Sequence, residues 1–280
     1  MKCVNVLNEE VKEVEPITII SDKKTYLVSI PHGGEFFPIK FLDKLNPNFN
    51  LTRNIDHYTT KLYKNLNSFN ISFNLTSDFI NLSRNRVVDY SQPIHLKTDP
   101  IHPLKVMGEA LLKEEYSKED EEEIYKIYEE YHKLISNTLE MLKRENSFAL
   151  MLDGHSLYSI GPENTPDEGQ ERADFVVGTL NDNSAHPEII NAFCIKLGEL
   201  ANLNSMSVVK NKPYKGGYNT QKYSNPSEDI HVIQLEVNKK QYMDEKTLEI
   251  KTESVNLINK LIEEAMNAAF EKAKEIYFGV

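Results

Sequence analysis

The chain has 280 residues, with 32 Lys and Arg against 43 Asp and Glu, a formal net charge of −11. That acid surplus, with no basic run to offset it, excludes general nucleic-acid binding, because a phosphate backbone would be repelled. Hydrophobic residues at 40% and charged residues at 27% exclude a disordered chain and supply a sizeable core. Cys3 and Cys194 are too few for a disulfide framework and read as reduced thiols. The opening MKCVNVLNEEVKEVEP is broken by charges, without an apolar signal core, and no later run reaches membrane-spanning length. The expectation is a cytoplasmic protein without membrane or nucleic-acid partners. No Gly/Ser/Pro linker divides it, so residues 1–280 read as one domain. The sequons at Asn50, Asn70, Asn74 and Asn81 are compositional.

In chain order, Ile17 to Ile30 reads as two short strands. The second, Thr25 to Ile30, is apolar enough for burial on both faces. It runs into Pro31 and the loop His32-Gly33-Gly34-Glu35. Ile55 to Leu66 reads as a helix with Leu62, Tyr63 and Leu66 on one face. Ile71 to Leu75 and Asp78 to Leu82 read as strands, and a Pro-punctuated polar stretch covers Ser91 to Pro103. Glu109 to Arg144 has apolar residues at spacings of three and four, the mark of an amphipathic helix. Its acidic run from Glu119 to Glu123 belongs to a solvated helix start, where negative charge suits the macrodipole. Ser147 to Leu152 is a buried strand ending in Asp153-Gly154-His155-Ser156. Ala173 to Gly178 is another, Pro187 to Asn202 a helix, Ile230 to Val237 a strand and Lys246 to Tyr277 a long helix. Strands alternating with helices predict an α/β domain with a parallel or mixed sheet, and ligands at the carboxyl ends of its strands.

The chemistry-bearing residues stand at such strand ends. His32 and Glu35 form H-x-x-E after one strand, His155 follows another, and Glu236 closes a third. Two histidines and one carboxylate make a catalytic zinc ligand set with one position left open, where bound water drops to a pKa of about 7. Glu236, charged between Leu235 and Val237, needs a polar partner or a task, and proton transfer is one. His57, His95, His102, His132, His186 and His231 read as structural.

Ser29-Ile30-Pro31-His32-Gly33-Gly34-Glu35 resembles the S-x-P-H-x-G motif of the N-formylglutamate amidohydrolase family. Further blocks follow in order: Asp56 to Tyr63, the Val87-Val88-Asp89 region, Asp153 to Ser156, Pro213 to Tyr218, and Ile233 to Asn238 with Tyr242-Met243-Asp244-Glu245. The resemblance implies a three-layer α/β/α fold with a mixed central sheet of about eight strands, similar to the zinc carboxypeptidases. It implies Zn2+ on His32, Glu35 and His155, with Glu236 as general base and then general acid. Asp89 would orient His32 through its other ring nitrogen. Arg84 or Arg86 would stabilise the oxyanion or grip a substrate carboxylate. Tyr214, Gly217 and Tyr218, in the P-Y-x-G-G-Y loop, would close over a small amide substrate.

The chain departs from the family where an Asn-Arg pair grips the substrate carboxylate: Ser91 and Gln92 stand there instead. Losing a buried arginine–carboxylate pair costs on the order of 2–5 kcal/mol unless Arg84 or Arg86 compensates. The expected activity is zinc-dependent hydrolysis of an N-formyl or N-acyl amino acid. A carboxypeptidase-like peptidase and a non-catalytic ligand-binding member are the alternatives.

Overall fold

The structure is a computed structural model that describes residues 1–21, 25–64, 66, 68–86, 101, 111–163 and 165–279. Its centre is a mixed seven-stranded sheet among the described residues, where about eight strands were expected. The middle strands are β6 (Phe69–Phe73), β4 (Leu27–Ile30), β7 (Ala149–Leu157) and β10 (Ile230–Asn238), all mutually parallel. β3 (Ile17–Ile20) runs antiparallel beside β6 at one edge. At the other, β8 (Phe175–Gly178) is antiparallel to β10, and β9 (Val208–Lys210) is parallel to β8. A small antiparallel sheet, β2 (Val11–Glu13), β1 (Lys2–Asn5) and β5 (Phe36–Pro38), sits apart.

Period-two alternation sends the strands' side chains into two cores. Val28, Ile30, Leu150, Leu152, Ile233, Leu235 and Val237 pack with α3 (Pro187–Leu203) and α5 (Thr252–Phe278). Leu27, Ile71, Phe73, Ala149, Met151 and Val232 pack on the opposite face against α2 (Lys118–Asn146). The result is the expected three-layer α/β/α arrangement.

α2 begins at a capping box in which Ser117 and Asp120 satisfy each other's backbone N–H. Glu119 to Glu121 lie in its first turn and Lys143 and Arg144 in its last, matching the macrodipole. Residues 111–117, expected in this helix, precede it, and Glu109 and Ala110 lie outside the described residues. Ile55 to Leu66 yields only one helical turn, α1 (Thr59–Leu62). Asp78 to Leu82 is not a strand. The Thr76 carbonyl accepts from both Phe79 and Ile80 N–H, closing turns that still bury Phe79, Ile80 and Leu82. β7 continues through the Asp153-Gly154-His155-Ser156 motif instead of ending before it. No helix among the described residues is long and apolar enough to cross a membrane.

Candidate metal and catalytic site

On the α2 face, the sheet turns from apolar to polar within one pleat. Met151 and Val232 are followed, two residues on, by Asp153 and Gln234, and after two more by His155 and Glu236. The parallel register sets Gln234 opposite Asp153 and Glu236 opposite His155, while Ser29 of β4 faces Asp153 from the other side. All five are buried. His32 follows the end of β4, and Asp56 arrives from a loop whose backbone N–H donates to the His32 carbonyl at 3.0 Å. The site thus lies at the carboxyl ends of the parallel strands, where α/β sheets hold ligands.

His32, Asp56 and His155 present ligand atoms within 4.8 Å of one another. The imidazoles lie edge to face with ring centroids 4.8 Å apart. Asp56 Oδ2 is 3.2 Å from His155 Nδ1 and 3.7 Å from His32 Nδ1. The tautomer of His32 follows from its neighbours. Asn81 Oδ1 accepts the Ser83 N–H at 3.0 Å, which fixes the amide, and the same oxygen meets His32 Nε2 at 2.9 Å. Nε2 must therefore carry the proton when the ring is neutral, leaving the Nδ1 lone pair facing Asp56 Oδ2. Two acceptors turned toward each other in a buried site call for a cation between them.

The electrostatics agree. Burial lowers the pKa of His32 against the pull of Asp56. Burial would raise Asp56, but the hydrogen bond from His155 and the closeness of both imidazoles prevail and hold it well below the carboxylate range. Burial would lower His155, yet Asp153, Asp56 and Glu236 together push it well above the ordinary imidazole value. Asp153 Oδ2 lies 3.3 Å from His155 Nε2 and makes no aligned hydrogen bond among the described residues. Its other oxygen accepts from Ser29, 3.2 Å away. Glu236 is pushed up to about 8, chiefly by burial, with His155 opposing and Asp56 and Asp153 adding to the rise. Gln234 Nε2 donates to Glu236 Oε1 at 3.0 Å.

His32, His155 and Glu236 thus converge as the sequence suggested, but Glu35 does not join them. A Cβ at Gly34 would lie 2.2 Å from the Leu75 carbonyl oxygen, so the chain is pressed against that backbone there. The chain then enters β5, and the Glu35 carboxyl, raised mainly by burial, lies with Asn5, Lys61 and Lys12. Asp56 stands where Glu35 was expected. Arg84 and Arg86 part company. Arg86 reaches outward to Glu129 at 2.6 Å and lies 4.0 Å over the Tyr125 ring, an exposed pairing on α2. Arg84 is half-buried, its pKa lowered by burial and raised by Tyr214. Tyr214 accepts a hydrogen bond from Arg172 at 3.1 Å, Gly217 donates to Gln234, and Tyr218 opens α4 (Tyr218–Tyr223). Asp89, Ser91, Gln92, His95 and His102 lie outside the described residues.

Four site residues escaped the sequence reading. Asp56 was taken into a helix. Asn81 Oδ1 meets Nε2 of His32 at 2.9 Å. Asp153 shares a strand face with His155 two residues on, a period-two signal that was available. Buried Arg172, held by Asp167 through two bonds of 2.7 Å, contributes positive potential at Glu236. The remaining described histidines make local bonds: His57 to the Thr52 carbonyl, His132 to Tyr223, His231 to Tyr277, and His186 at the start of α3.

The profile of the N-formylglutamate amidohydrolase family matches residues 24–243. The chain belongs to this family. It is therefore a hydrolytic enzyme, an amidohydrolase. It is 28% identical over 227 residues to an N-formylglutamate deformylase of Pseudomonas putida, covering 78% of this chain and 82% of the relative. It is 34% identical over 122 residues to an N-formylglutamate deformylase of Pseudomonas aeruginosa, covering 42% of each. The fold is similar to the crystal structure of an N-formylglutamate amidohydrolase from Ralstonia eutropha, with a TM-score of 0.76 at 18% identity over 95% of this chain and all of that one. An Agrobacterium tumefaciens protein is also similar, with a TM-score of 0.62 at 12% identity over 92% of this chain and 96% of that one.

Proposed function

We propose that this amidohydrolase cleaves the formamide of N-formylglutamate, releasing formate and glutamate, with zinc held by His32, Asp56 and His155. The observation that carries the reading is the convergence of those three donors beside Glu236, one strand away from His155 in direct register. Two imidazoles and a carboxylate match a catalytic zinc set, and the orphaned lone pair of His32 fits it. Zinc bound there supplies Lewis acidity, polarising the formyl carbonyl and easing deprotonation of water.

The protein's own groups supply the rest. Glu236 takes a proton from the attacking water as oxygen bonds to the formyl carbon. It returns that proton to the amine nitrogen as the C–N bond breaks. Its raised pKa suits both halves of the task, since a group near neutrality both accepts and gives a proton readily. Asn81 holds the His32 imidazole in orientation, and the Asp153 carboxylate lies 3.3 Å from Nε2 of His155. Arg84, whose guanidinium donates to the Ser83 carbonyl at 3.0 Å and feels Tyr214, is the arginine proposed to hold the oxyanion or a substrate carboxylate. The acidic, cysteine-poor composition supports a cytoplasmic setting.

The test is formate release from N-formyl-L-glutamate by zinc-loaded protein, beside N-acetyl-L-glutamate and a short peptide. Turnover of the formyl compound above the other two is expected. Turnover of the peptide alone would replace this reading with a peptidase.

A further inference from the structure

Two sequence blocks, Gln234-Leu235-Glu236 and the Pro213 to Tyr218 loop, meet at one side chain. Gln234 is 4% exposed. Its Oε1 accepts the Gly217 N–H at 2.7 Å and the Thr220 hydroxyl at 3.2 Å. A backbone N–H can only donate, so the amide orientation is settled, and Nε2 must be the atom facing Glu236 Oε1 at 3.0 Å.

The loop is built to reach this amide. Gly216 has φ +123°, a conformation that favours glycine, and a Cβ there would meet Leu180 at 2.8 Å. A Cβ on Gly178 would lie 2.8 Å from Gly216 N and 3.1 Å from the Gln234 Cβ. The Leu180 N–H donates to the Lys215 carbonyl at 2.6 Å. The end of β8 and the loop therefore pack backbone on backbone, which brings Gly217 N–H onto Gln234.

We propose that Gln234 is a positioning residue that joins the Gly216-Gly217 loop and the Glu236 carboxylate into one hydrogen-bonded unit. The loop thereby sets where the proton carrier points, and Glu236 Oε1 is engaged by the amide while Oε2 is left for the reaction. This rests on the reading of Glu236 as the proton carrier.

Two variants separate the halves of the unit. In Q234E the new carboxyl accepts from Gly217 and Thr220 as before, but the neutral N–H donor to Glu236 is replaced by a second acid that must share a proton with it. Q234M loses all three bonds. With N-formyl-L-glutamate, kcat of Q234E is expected to fall at least about tenfold while KM stays within about twofold, because a misdirected catalytic group costs rate, not binding. Q234M is expected to lower kcat and raise KM together, and to speed amide hydrogen exchange at Gly217, which Q234E leaves protected. Wild-type kcat in Q234E overturns the positioning role. Unchanged Gly217 exchange in Q234M overturns the coupling, whatever the substrate. A wild-type enzyme inert on N-formyl-L-glutamate would sink the substrate reading, while the exchange measurement still decides the coupling.

Discussion

His155, His132 and His231 are buried and His32 is half-buried, yet His155 alone among the four is pushed up. The pair at the site, His32 and His155, shares a carboxylate, and His155 has Asp153 and Glu236 near as well. The second pair hydrogen-bonds tyrosines: His132 to Tyr223, and His231 to Tyr277. Burial alone therefore says little about a histidine; the neighbouring acceptors decide whether it gathers charge or stays neutral. His132 and His231 are lowered to about 3 and about 4, chiefly by burial, whereas His155 rises against its own burial.

The largest effect expected from breaking this contrast is at His155. His155→Ala should abolish both stoichiometric zinc and turnover, read by elemental analysis and formate release. Glu236→Gln should keep zinc but lose about 10²–10⁴ in kcat, the usual worth of a positioned acid–base group. Asn81→Ala frees His32 Nε2 and should weaken zinc binding about 10–100-fold in a chelator competition.

The pH dependence of the two pairs has different origins. At the site, a proton on His155 competes with a cation, so zinc affinity should fall about tenfold per pH unit as pH drops below the raised His155 value. Proton release measured on zinc addition in weak buffer checks this. For His132, the folded pKa lies below the unfolded value of about 6.5, so only the unfolded chain gains a proton as pH falls. Its contribution to stability is therefore intact above pH 6.5 and declines toward pH 3. His132→Gln should reduce the loss of unfolding free energy between pH 6.5 and 5 by about 1–2 kcal/mol, read from urea midpoints.

The parts of this molecule legible in the sequence are those that depend on local pattern. β4, β7, β8 and β10 announce themselves because a strand covered on both faces carries an unbroken apolar run. A histidine or glutamate at the end of such a run, as at His155 and Glu236, stands out against it. Asp56 was hidden because its place depends on distant backbone bonds. Its N–H reaches the His32 carbonyl, and buried Lys239 donates to the Ile55 carbonyl at 2.7 Å. Glu35 misled for the converse reason: its spacing from His32 is right for a shared ion, but the chain, pressed at Gly34 against the Asn74-Leu75 backbone, turns away. The Asp78 to Leu82 run misled because apolar residues in turns bury as fully as those in strands.

The central claim is that Asp56, not Glu35, completes the zinc site with His32 and His155. Zinc titration of Asp56→Ala beside Glu35→Ala, each with far-ultraviolet circular dichroism to confirm folding, tests it most directly. The account predicts near-stoichiometric tight zinc in Glu35→Ala and its loss in Asp56→Ala. Tight zinc in Asp56→Ala with loss in Glu35→Ala would contradict it.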